Sequence, residues 1–160
     1  MARIRYTNPN GDRNVNSFRR LMRWQRERRK KVKDLSFVVP QELDKKHAYL
    51  ETNRVNTTIT WIGHSSFLIQ IKGLNIVTDI VWARRMGLDV RLSDPGLTPE
   101  QMPEIDVVLI SHSHYDHLDI PSIRKLKGNP IFLVPIGLKS FFEKRFLFKD
   151  ELSRKIRIEY

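Results

Sequence analysis

The sequence predicts a mixed α/β (α+β) chain, built mainly on one mixed or antiparallel sheet with flanking helices. Three observations point there. Residues 57–78 hold three short β-branched and aromatic runs joined by tight turns. Two later apolar runs, 106–110 and 130–134, are each followed by a helix-like segment. Hydrophobic residues make up 40% of the 160-residue chain, enough for a core and too many for a disordered chain.

The elements follow in order. Asn16 or Ser17 caps a helix reaching about Lys33, with Phe18, Leu21 and Met22 at helical spacing and Trp24 at the edge of that stripe. The stripe stops there, and Arg26 to Lys31 contains no apolar residue. Phe37 to Pro40 is short and extended, and residues 41–55 read as polar connection. Thr57–Ile62, Phe67–Ile71 and Asn75–Thr78 read as an antiparallel meander, with Lys72-Gly73 as a turn. Residues 82–104 look irregular, broken by Pro95-Gly96 and Pro103. Asp106–Ile110 is a buried strand by composition. A short helix starts at Pro121, a good first helical residue. Pro130–Val134 is another strand, Leu138–Phe146 a helix and Ile156–Tyr160 a half-buried strand.

Composition excludes several classes. With no cysteine there is no disulfide scaffold, thiol nucleophile, cysteine-ligated zinc or iron–sulfur cluster. No apolar run approaches the roughly 18 residues of a membrane span, and no apolar segment follows the basic N-terminus as in a secretory signal. A cytoplasmic location is expected, with a peripheral membrane association open. The net charge of +11 is uneven. Residues 1–33 hold 12 basic side chains against Asp12 and Glu27, whereas residues 34–160 hold 17 against 16 acids. The division expected is a basic arm over 1–55, carrying the helix of about 16–33, and a near-neutral domain over 56–160. The first turns of the arm's helix are expected to pack on another surface, with the charged last turns solvated; the alternative is attraction of the arm to an anionic surface such as phospholipid. Nucleic acid is disfavoured, because aromatics are not interleaved with the Arg/Lys run beyond Trp24.

The chemistry concentrates after the 106–110 strand, in Ser111-His112-Ser113-His114-Tyr115-Asp116-His117-Leu118-Asp119. This is an H-x-H-x-D-H pattern. Imidazoles and carboxylates suit Zn²⁺, and also Mn²⁺ or Fe²⁺. In an extended segment His112 and His114 point to the same side and reach one ion. Asp116 and His117 come where the chain turns toward the helix and reach a second ion nearby. Two ions about 3.5–4 Å apart hold a shared hydroxide and clamp an oxyanion or phosphoryl group. His47 reads as an ordinary surface residue, Asp79 by itself as a strand-end turn residue, and His64 as a turn or active-site-floor residue.

A strand followed by this motif resembles the metallo-β-lactamase fold, a four-layer αββα sandwich of two similar halves. Thr60-Trp61-Ile62-Gly63-His64-Ser65-Ser66, Thr78-Asp79, the run from Asp106 to Asp119, and Val134-Pro135-Ile136-Gly137-Leu138 resemble the N-acylphosphatidylethanolamine phospholipase D-like branch. The resemblance covers about residues 57–148. It implies that His112 and His114 hold one metal and that Asp116 and His117 hold a second and serve catalysis. It also places Asp79 behind a ligand histidine as a hydrogen-bond acceptor, and His64 near the metals. Tyr115 and Asp119 would shape the site without being ligands.

The resemblance also implies a second half that this sequence does not contain. No histidine follows His117, and the later aspartates, Asp119 and Asp150, are not placed as bridging ligands. The expectation is therefore the N-terminal half of such a domain, truncated, with an incomplete two-metal site and one sheet face lacking its partner. The function expected of the intact protein is metal-dependent hydrolysis, of a phosphodiester in the phospholipase D manner, through metal-activated hydroxide. The alternatives are a lactonase-like or RNA-directed hydrolase of the same fold, and a non-catalytic remnant or subunit. Expected partners are a small-molecule or phospholipid substrate, and either further copies of this chain or a chain supplying the missing half.

Overall fold

A computed structural model describes residues 17–86, 89–146 and 157–159. By its internal contacts the chain divides into two units, Met1–Val38 and Val39–Tyr160.

The first unit carries α1, Phe18–Lys30. Ser17 caps it, its hydroxyl accepting from the Arg20 amide. Asn16 lies outside the described residues. The helix ends three residues before Lys33, where Lys31 turns to extended backbone. No residue of α1 is buried.

The second unit is a six-stranded mixed sheet with flanking helices. Its strands are β1 (Thr58–Gly63), β2 (Ser66–Ile71), β3 (Leu74–Thr78), β6 (Val107–Leu109), β7 (Ile131–Leu133) and β8 (Arg157–Glu159), adjacent in that order. A small hairpin, β4 (Arg85–Met86) and β5 (Asp89–Val90), lies between β3 and β6 in sequence. The first three strands are an antiparallel meander. Lys72 and Gly73 turn β2 into β3 with φ of 49° and 79°, the left-handed pair that a tight type I′ connection needs. From β3 onward the pairing is parallel, with Ile76 opposite Val107, Val107 opposite Ile131 and Ile131 opposite Arg157. The last expected strand thus appears over Arg157–Glu159; Ile156 and Tyr160 lie outside the described residues.

One face of the sheet is covered. Leu68, Val77, Val108 and Phe132 project from it into a core with Ile80, Leu97, Met102, Ile105, Leu118, Ile123 and Phe142. Each such side chain contributes about 1.5–3 kcal/mol through burial. Much of the cover comes from residues 79–106, most of which (82–104) the sequence marks only as irregular. The chain there is held by Trp82 Nε1 donating to Leu97 O (2.8 Å), Gly96 N to Ile62 O (2.7 Å) and Arg91 Nη2 to Val81 O (2.6 Å). A short 3₁₀ turn, Pro99–Gln101, closes it. Two helices flank the parallel strands. In α3 (Ile120–Ile123) the capping Asp119 accepts from the Ser122 amide at 3.1 Å. In α4 (Lys139–Phe146), Phe142 is buried against Phe132, with ring centroids 5.7 Å apart, while Phe141 stays at the surface.

Residues 39–55, read from the sequence as arm, fold with the sheet. They form α2 (His47–Thr52), whose Leu50 is buried. A buried amide cluster explains the attachment. Gln70 Nε2 donates to Leu50 O (2.6 Å) and Asn75 Oδ1 (3.0 Å), and Asn53 Nδ2 donates to Gln70 Oε1 (2.9 Å). Asn75 Nδ2 continues it to Glu104 O. Nearby, Arg54 pairs with Asp106.

The other sheet face is apolar and open. The register puts Ile59 opposite Ile69 and Trp61 opposite Phe67. It continues through Ile76, Val107 and Ile131 on the neighbouring strands. Ile59 is 69% exposed and Trp61 50%.

Candidate metal centre

Three turns at one end of the sheet build the site. The β1–β2 turn brings His64, the end of β3 brings Asp79, and the loop after β6 brings residues 111–119. A loop at the carboxyl end of a parallel strand is where open α/β sheets collect ligand-binding groups. Gly63 and His64 both have positive φ (141° and 50°), so the chain bulges off β1. Trp61 Nε1 donates to His64 O at 3.0 Å and fixes the turn. Asp79 is also left-handed, at φ 38°, with its amide donating to Leu109 O (2.9 Å). That bond ties the end of β3 to β6, and the Asp79 carboxylate lies beneath the histidine loop.

Asp79 is 6% exposed and accepts three hydrogen bonds. The Ser111 amide donates to Oδ1 (2.7 Å), and the Ser111 hydroxyl (2.6 Å) and His117 Nδ1 (2.9 Å) donate to Oδ2. A carboxylate can only accept, so His117 carries its proton on Nδ1. In the neutral ring Nε2 is then the lone-pair atom, 3.5 Å from Asp116 Oδ2. The same logic runs through Ser111. Its hydroxyl proton goes to Asp79, so its oxygen accepts from His112 Nδ1 at 2.9 Å. His112 Nε2 is then a lone pair, 3.0 Å from His114 Nδ1. One buried carboxylate therefore sets the tautomer of two histidines.

The rings are packed close, edge-on or tilted. His112 lies 4.5 Å from His114 and 4.0 Å from His117, centroid to centroid. His64 Nε2 donates to Asp116 Oδ2 at 3.0 Å. His64, Asp116 and His117 each place one ligand atom within 4.8 Å of the others. Burial, together with the neighbouring His117 and His114, pushes the His112 imidazole below its ordinary pKa. For Asp116, burial pushes upward. Its own backbone amide, the His64 hydrogen bond and the charges of His117 and His64 outweigh this and hold the carboxyl below its usual range.

The donors fit a divalent metal. Two imidazole nitrogens converge at one point, a second His/Asp group stands beside them, and the orienting carboxylate is already bonded. His64, expected only near the metals, stands in the same donor group as Asp116 and His117. Asp119 turns away to cap α3, Tyr115 is 78% exposed beside the cluster, and His47 begins α2. Asp150 lies outside the described residues. Two participants had no role in the sequence reading. Ser111 links Asp79 to His112, and its place directly before the first histidine was the available signal. Arg91 packs its guanidinium against Gly63 so tightly that an added Cβ there would meet Nη1 at 2.8 Å. It backs the His64 turn from a segment with no periodic pattern.

Fold and donor set define an α+β domain with a histidine–aspartate cluster at the carboxyl end of a parallel strand. The family model described as "Beta-lactamase superfamily domain" matches residues 58–152, and the chain belongs to that family. The chain is 34% identical over 99 residues to the N-acyl-phosphatidylethanolamine-hydrolyzing phospholipase D 1 of Caenorhabditis elegans, covering 57% of this chain and 28% of that protein. It is 33% identical over 76 residues to a UPF0173 metal-dependent hydrolase of Anaeromyxobacter sp. (strain K), covering 47% and 26%. It thus spans little more than a quarter of either relative. A solved structure, the isothiocyanate hydrolase from Delia radicum gut bacteria, aligns with a TM-score of 0.48 at 15% identity, over 64% of this chain and 40% of that one.

Proposed function

We propose that this chain carries the metal-binding half of a metal-dependent hydrolase acting on phosphodiesters in the phospholipase D manner. The observation that carries the reading is the donor arrangement. His112 Nε2 and His114 Nδ1 converge within 3.0 Å, beside Asp116 and His117, over an Asp79 carboxylate that fixes the tautomers. In this reading His112 and His114 hold one divalent ion and Asp116 and His117 a second, zinc being the best match for nitrogen-rich donors. Divalent ions held there supply Lewis-acid stabilisation of a phosphoryl group and acidify water.

The chain's own residues do the positioning. Asp79 and Ser111 orient His117 and His112. His64 donates to Asp116 and keeps that carboxylate ionised and aimed at the cluster. Tyr115 lines the open side, where substrate enters. The phosphodiester preference is supported by the printed activity of the Caenorhabditis elegans relative.

Two measurements test the reading. Zinc or manganese is titrated into the chelator-treated chain, with His117→Ala as control. Turnover of bis-p-nitrophenyl phosphate is then compared with that of a lactone. Because no more than two proposed ligands serve each ion, where a catalytic zinc typically has three, binding should be weak and turnover slow. Both should fall in the variant. Absence of metal binding, or binding indifferent to His117→Ala, refutes the site. A clear preference for the lactone refutes the substrate class.

A further inference from the structure

We propose that α1 is an interfacial helix that docks this protein on anionic phospholipid membranes. The proposal rests on the first unit alone and is independent of the hydrolase reading. At 100° per residue, Trp24, Leu21, Phe18 and Met22 fall on one arc of the helix. Arg19, Arg23, Arg26 and Lys30 fall together on the other side, with Glu27 the helix's sole acid. Phe18 is 72% exposed, and Leu21, Met22 and Trp24 are exposed as well. In the last turns Arg28 and Arg29 fall within the same arc, and the Arg28 guanidinium lies 5.2 Å from the Trp24 ring, so cation and aromatic share that end of the stripe. Past the helix the exposure continues through Val32, Leu35 and Phe37. By sequence, Arg3, Arg5 and Arg13 add further positive charge before it.

An exposed apolar stripe beside a dense cationic face is unfavourable in water. It is satisfied where acyl boundary and anionic headgroups meet. The charge and the stripe together decide among occupants. A second copy of the helix would bring like charges together, and the apolar positions stop after two turns. A nucleic acid would satisfy the arginines and leave Leu21 and Met22 in water. An anionic bilayer satisfies both faces at once.

The test is flotation of the 160-residue chain with phosphatidylcholine vesicles, with and without phosphatidylglycerol, at low and high salt. Since no α1 residue is buried, substitutions in it leave the sheet unit intact, and circular dichroism checks this. Binding is expected with phosphatidylglycerol only, and salt should weaken it. Arg19→Gln with Arg23→Gln and Arg26→Gln should lower partitioning on the order of a hundredfold. Phe18→Ser with Leu21→Ser and Met22→Ser should lower it about tenfold or more. Equal binding to neutral vesicles overturns the proposal. So does wild-type binding by either triple variant, which would move the contact to another surface such as the open sheet face. Duplex DNA binding that survives the serine variant, with no vesicle binding, reassigns α1 to nucleic acid.

Discussion

Asp79→Asn isolates the carboxylate charge from everything else this residue does. The backbone at Asp79 is left-handed, which asparagine tolerates as well as aspartate. Side-chain size is kept, and Oδ1 can still accept from the Ser111 amide at 2.7 Å. The loss falls on the other oxygen. An amide nitrogen there donates, so it cannot receive the His117 Nδ1 proton now bonded at 2.9 Å. The least costly relief is for His117 to move its proton to Nε2, the atom that otherwise offers a lone pair to metal. Hydrogen bonds to a charged acceptor are worth about 1.5–3 kcal/mol each, and part is recovered by the relayed Ser111 hydroxyl. The metal-free fold should therefore lose about 1–2 kcal/mol. Metal affinity should fall about 10–100-fold, as for other carboxylates behind a ligand histidine. Competition titration with a chromophoric chelator reads the affinity, and ¹⁵N-detected imidazole spectra read the tautomer. Unchanged affinity with His117 still protonated on Nδ1 would refute the reasoning, since Asp79 would then be only a turn residue.

Three further outcomes are expected. Gln70→Leu fills the same space but takes one of two acceptors from Asn53 Nδ2 and removes the donor to Asn75 Oδ1 and to the Leu50 carbonyl. It should cost about 3–5 kcal/mol in urea denaturation, and a loss below about 1 kcal/mol would show the cluster to be hydrated. In the metal-free chain, stability should fall as pH drops below about 6.5, because the His112 pKa is lowered by folding and the unfolded chain then binds the extra proton. Asp116 adds a further loss at lower pH, as its depressed folded value is crossed from above. His112→Gln should flatten the first decline, and an unaltered slope would assign it elsewhere. Finally, the open sheet face should drive self-association. Size-exclusion chromatography should show species larger than monomer, reduced by Ile59→Lys with Ile71→Lys; a monomeric wild-type chain counts against this.

The sheet was largely legible because its strands carry their own signals. Thr58–Gly63 and Ser66–Ile71 are β-branched and aromatic, and Lys72-Gly73 is turn chemistry that few other conformations use. The histidine loop was legible because its four candidate donors follow directly on a strand. Other features needed tertiary information. α2 is six residues long, starts from a left-handed Lys46 without a side-chain cap and buries only Leu50, so no period or boundary marks it. Gln70 and Asn75 are polar residues on the covered face, and only their mutual bonding makes that placement affordable. Residues 79–106 bury Ile80, Leu97, Met102 and Ile105 without any repeat, since they follow the core's surface rather than an axis. His64 lies 52 residues from Asp116 in sequence, so their contact follows from strand pairing alone.

The three turns that supply the site have a thermodynamic consequence. The four proposed ligands share the loop after β6, but the His64 and Asp79 side chains that orient them hang from β1 and β3 and reach them only when those strands are paired as observed. A metal ion would then find the same histidines unoriented in an unfolded chain, bind that chain more weakly, and stabilise the fold by mass action, by at most about 2.7 kcal/mol at a hundredfold excess over its dissociation constant. In that linkage a bound ion would act as a fastener of the sheet, and chelation would loosen the strands around it.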